Sequence, residues 1–102
     1  MNVVLKPSDR KDKKYQAVID GGRTVHFGAI KQNGQPYSDF TKHKDEERKR
    51  RYISRHSQNE DWSNPNTAGF YARWILWNKP TITQSVEDVN NKFRNVHIKL
   101  KK

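Results

Sequence analysis

Arg48, Arg51 and Arg55 lie three and four residues apart inside DEERKRRYISRH (Asp45–His56), a spacing that lines them along one face of a helix. Guanidinium groups set in a row match phosphate oxygens bidentately, and Lys44 extends the same row. The chemistry this suggests is the holding of a polyanion by charge. A solvated helix face explains part of the pattern. Asp45, Glu46 and Glu47 stand four residues before Lys49, Arg50 and Arg51, and an acidic first turn suits the helix dipole. The excess of basic groups is left over. Lys11, Lys13 and Lys14 near one end and Lys99 and Lys101 near the other are read as further clamps on the same polymer.

Other chemistries find less support. His26, His43, His56 and His97 match no helical zinc spacing, and with no cysteine there is neither a thiolate metal site nor a disulfide framework. A nuclease would have to pair His43 or His56 with Glu60 or Asp61, residues that lie close together in most polar sequences. Gly21-Gly22 belongs to a turn and not to a phosphate loop. We therefore expect no catalytic residue, no metal and no cofactor. Among the tryptophans, Trp74 and Trp77 fall at helical spacing from Phe70 and read as core, while Trp62 sits in a polar loop and reads as its anchor.

The elements that must position these residues follow from periodicity. MNVVLKP stops at Pro7 and reads as a short edge strand. YQAVID and TVHFGA alternate in hydrophobicity on either side of Asp-Gly-Gly, a hairpin signal. Lys31–Phe40 is turn-rich, with a tight turn at Asn33-Gly34. A basic helix then runs to His56, held inward by Tyr52, Ile53, His56 and the stem of Lys49. TAGFYARWILW is the core helix. Thr81 caps a third helix, with Gln84 completing a capping box and Ile82, Val86, Val89 and Phe93 as its stripe. Val96, Ile98 and Leu100 alternate in a last strand.

The expected fold is α+β: one domain over 1–102 with charged terminal segments, a small antiparallel sheet packed against about three helices. The core is placed at Phe70, Trp74, Trp77, Ile82, Val86, Val89 and Phe93. A net charge of +10 on 102 residues points to nucleic acid, an acidic protein surface or anionic lipid as partner. No apolar run reaches membrane-spanning length and the N-terminus lacks a signal-peptide core, so an intracellular, non-secreted protein without a membrane partner is expected.

GRTVHFGA, YSDFTKHKD, RYISRHS, EDW, NTAGFYARWILWNKPT and SVEDVNNKF together span about Tyr15 to Phe93. In these pieces the chain resembles a family of small proteins of uncharacterised function encoded by large DNA viruses of eukaryotes and some tailed phages. The resemblance implies a viral origin. A basic, cysteine-free viral protein is then expected in the virion, and in the cytoplasm or nucleus of the infected cell, touching genome or capsid. The IKQNGQP link (Ile30–Pro36) departs from the expected shorter connection.

The reading is thus a non-enzymatic basic protein that binds nucleic acid, DNA ahead of RNA, by phosphate contacts with low sequence specificity. The alternative is a minor capsid or cement protein meeting acidic capsid surfaces. A metal-dependent nuclease trails both, and no small-molecule substrate is expected.

Overall fold

The computed structural model describes residues 1–101. It is an α+β fold with strands β1 (Asn2–Pro7), β2 (Lys13–Ile19), β3 (Arg23–Ala29) and β4 (His97–Leu100). Helices α1 (Phe40–His43), α2 (Glu46–His56), α3 (Ala68–Tyr71) and α4 (Ile82–Lys92) lie between β3 and β4. The sheet order is β3-β2-β1-β4. The β2–β3 hairpin forms as its alternation predicts, with Ala17 opposite Val25 and Tyr15 opposite Phe27. Its turn places both Asp20 (φ 51°) and Gly21 (φ 74°) in the left-handed region that a tight hairpin turn requires.

Two expectations about the sheet are corrected. It is mixed, because β4 runs parallel to β1, with Val3 beside Ile98 and Leu5 beside Leu100. And β1 is an interior strand between β2 and β4. Pro7 is tolerated because it falls at the very end of the strand, opposite Tyr15, where a missing N–H costs little. β4 is held on its outer side too. The Asn90 side chain accepts from the Ile98 N–H at 2.7 Å and donates to the Ile98 carbonyl at 3.0 Å.

One sheet face, bearing Val3, Leu5, Ala17, Ile19, Phe27 and Ile98, packs against the helices to form the core with Phe70, Tyr71, Ile75, Leu76, Val86 and Val89. The core helix is not uniform. α3 gives way after Tyr71 to a π-helical turn over Ala72–Leu76, closed by Trp77 N–H donating to the Ala72 carbonyl at 3.1 Å. The wider turn shifts the side chains off the 3.6-residue period. As a result Ile75 and Leu76 are fully buried, while Trp74 and Trp77, expected in the core, sit half-buried at its margin, as do Ile82 and Phe93.

Caps follow the sequence closely. The Thr81 hydroxyl oxygen accepts from Gln84 N–H at 3.1 Å, although the Gln84 side chain returns to the hydroxyl and not to the Thr81 backbone. The Ile30–Pro36 link folds on itself around Gly34 (φ 87°), with Lys31 N–H donating to the Gln35 carbonyl at 2.8 Å.

Candidate nucleic-acid interface

α2 begins at Asp45, whose carboxylate accepts from Glu47 N–H at 3.0 Å and Arg48 N–H at 3.3 Å. His43 secures the cap in turn, since its Nδ1 accepts from Asp45 N–H at 2.9 Å. That bond needs an unprotonated Nδ1. Burial first and the nearby Arg48 second push the His43 pKa below its ordinary value, in keeping with the bond.

The inner side of α2 is an aromatic seam. Tyr52 is 7% exposed and stacks on Trp77 with centroids 4.4 Å apart and planes 3° from parallel. His56 packs on Tyr52 at 4.3 Å, and the Trp62 ring lies nearly parallel to Tyr52 at 6.4 Å. Lys49 also turns inward. Its ammonium donates to the Asn78 carbonyl at 2.5 Å and lies 4.8 Å from the Phe40 centroid, with burial holding its pKa below the ordinary value. Trp62 anchors its loop as expected, donating to Glu60 at 2.7 Å while its carbonyl accepts from the Trp74 indole at 2.8 Å.

Between α2 and the end of the β2–β3 hairpin runs a cleft of about 580 Å³, lined among others by Arg48, Arg55, Tyr52, Trp77, Lys31 and Tyr37. A smaller depression of about 420 Å³ adjoins it, sharing Arg48, Arg55 and Trp77 and adding Arg51 and Ser54. All three expected arginines therefore line the second hollow, and Arg48 and Arg55 line the first as well. Arg51 is partly neutralised by Glu47 at 3.3 Å, the one acidic-to-basic pairing of that helix face that forms among the described residues. Neither Arg48 nor Arg55 has a carboxylate partner among the described residues.

The other expected clamps are dispersed. Lys44 is not on α2; it ends α1 in a left-handed conformation (φ 55°). With Lys42 and Lys101 it borders a separate depression of about 520 Å³ that also includes Tyr15, Ile82 and Leu100. Lys11 is exposed in the β1–β2 connection, Lys13 is half-buried at the start of β2, and Lys99 is exposed on the sheet face opposite Ile98. Lys14 borders the main cleft but is tied down. Its ammonium meets Asp39 at 2.6 Å with side chains only 9% and 3% exposed, and it also donates to the Tyr37 carbonyl.

Sequence reasoning missed the aromatic part of this site. Trp77 was placed in the core and Tyr37 was given no role, yet both line the cleft, and Tyr37 is 53% exposed. The local signal for Tyr37 was an aromatic residue in a turn-rich stretch between Lys31 and Ser38. Arg73 was missed too. Its guanidinium lies over Trp74 at 4.4 Å and Trp62 at 5.5 Å and donates to the Trp77 carbonyl at 2.9 Å, fixing the wall behind the seam. Among the described residues no cluster of histidine and carboxylate groups is arranged to hold a metal. No helix among them is long and apolar enough to cross a membrane.

Residues 3–56, just over half of the chain, match the model of a family of unknown function (DUF5754), and the chain belongs to that family. The matched span carries β1 to β3, α1 and the whole basic helix. No curated protein and no solved structure matches the chain.

Proposed function

We propose that the protein binds nucleic acid through phosphate contacts made by the outer face of α2, with low sequence specificity and DNA ahead of RNA. The observation that carries this reading is that Arg48 and Arg55 line one groove without a carboxylate of their own among the described residues. Guanidinium groups left unpaired in a concave surface attract anions, and a chain of charge +10 adds a long-range field of the same sign. Lys14 neutralises Asp39, the carboxylate that borders the groove beside them. The reading is of a binding protein and not of an enzyme, and the resemblance to viral proteins supports the virion as its place of action.

The test is a titration of labelled oligonucleotide at several salt concentrations. Each phosphate contact contributes about 0.7 to 0.9 to the slope of log affinity against log salt. Arg48→Gln with Arg55→Gln should flatten that slope by roughly 1.4 to 1.8 while the domain stays folded. Arg51→Gln should change it less, because Glu47 already shares that charge. An unchanged slope in the folded double variant would transfer the reading to an acidic protein surface, such as that of a capsid.

A further inference from the structure

We infer that the groove is built for single-stranded nucleic acid, with a base received against Tyr37 in the cleft and its flanking phosphates held by Arg48 and Arg55. This rests on the nucleic-acid reading above and specifies its polymer. A cleft of about 580 Å³ falls inside the ~300–1,000 Å³ range of sites that enclose small ligands. A purely electrostatic duplex binder has no need of such a recess, since the duplex offers its phosphates on a convex surface and keeps its base faces stacked. The lining is of the mixed kind that single strands use, cations for the backbone and aromatic rings for the bases.

Among the described residues Tyr37 is the exposed large aromatic, 53% open to solvent. Its backbone is fixed. Tyr37 N–H donates to the Ala29 carbonyl at 3.2 Å, and its own carbonyl accepts from the buried Lys14 ammonium. The ring is therefore presented from a fixed point, which lowers the ordering cost of stacking on it. Lys31 lies 5.4 Å from the ring centroid and brings a further cation to the same lip. On the far side Trp77 lines both the cleft and the adjoining depression together with the two arginines, so a chain leaving the cleft passes directly to the second basic hollow.

The full chain would be titrated, over one matched series of salt concentrations, with a labelled oligothymidylate, the corresponding oligouridylate and a duplex of equal length. At least one single strand should bind more tightly than the duplex. Tyr37→Ala should weaken single-strand binding roughly 5- to 150-fold, the equivalent of one stacked base, while leaving duplex affinity and the salt slope unchanged. Tyr37→Phe should restore the loss, because the ring and not the hydroxyl stacks. Equal or tighter duplex binding, or a neutral Tyr37→Ala, would overturn the inference and leave the phosphate reading standing. Failure of all three polymers to bind at low salt would remove both.

Discussion

Lys14 and Arg55 border the same cleft and serve different ends. Lys14 is drawn under the surface onto Asp39, whose other oxygen caps α1 by accepting from Thr41 N–H at 2.9 Å. Its charge ties the β2 strand to the start of the helical half. Arg55 stays exposed and meets no carboxylate among the described residues. The same division runs through α2 itself, where Lys49 turns in to the Asn78 carbonyl and Arg48 turns out. A basic residue thus declares its role through the acceptor the fold places beside it, and the count of charges along the chain does not distinguish the two kinds.

The sharpest way to break this contrast is to remove an inward cation. Lys14→Met strands the Asp39 carboxylate in a buried site, and loss of one partner of such a pair costs about 3 to 5 kcal/mol. Urea unfolding should show it, and a variant as stable as the parent would place Lys14 among the outward groups. Arg73→Met should come next, at roughly 1 to 2 kcal/mol by the same measurement, as the cation is lost from between two indole rings.

A smaller effect follows from pH. Burial and Arg48 hold the His43 pKa below its ordinary value of about 6.5, so the unfolded chain takes up the proton first. Stability should be complete above about pH 6.5 and decline as pH falls through the lower folded value. His43→Asn keeps an acceptor for Asp45 N–H but cannot protonate, and should flatten the decline between pH 7 and pH 5.5, roughly the span of a histidine titration. The least effect on stability belongs to the outward pair. Arg48→Gln with Arg55→Gln should leave unfolding within about 0.5 kcal/mol of the parent, as surface substitutions do, while altering the salt dependence of binding.

Local pattern was enough for the β2–β3 hairpin, the Asn33-Gly34 turn, the Thr81 cap and the reach of the basic helix, because each depends on residues within a few positions of one another. What escaped depends on distant partners. Nothing near Lys14 signals an acceptor 25 residues away. The row from Lys44 to Arg55 was broken by a left-handed residue between two helices, which periodicity passes over. The π-turn at Ala72–Leu76 contains neither Gly nor Pro and leaves no mark in composition, yet it brings Trp77 out to the cleft. The direction of β4 is a matter of topology, set by where four helices deliver the chain.

The fork of Asn90 over Ile98 has a consequence for crowded copies. Wherever copies of the chain are concentrated, an open strand edge invites neighbour-to-neighbour sheet growth. At the middle of β4 both outward backbone groups are already occupied by an amide that imitates a fifth strand. The middle of that edge is thus blunted from within the molecule, by a side chain and not by a further strand.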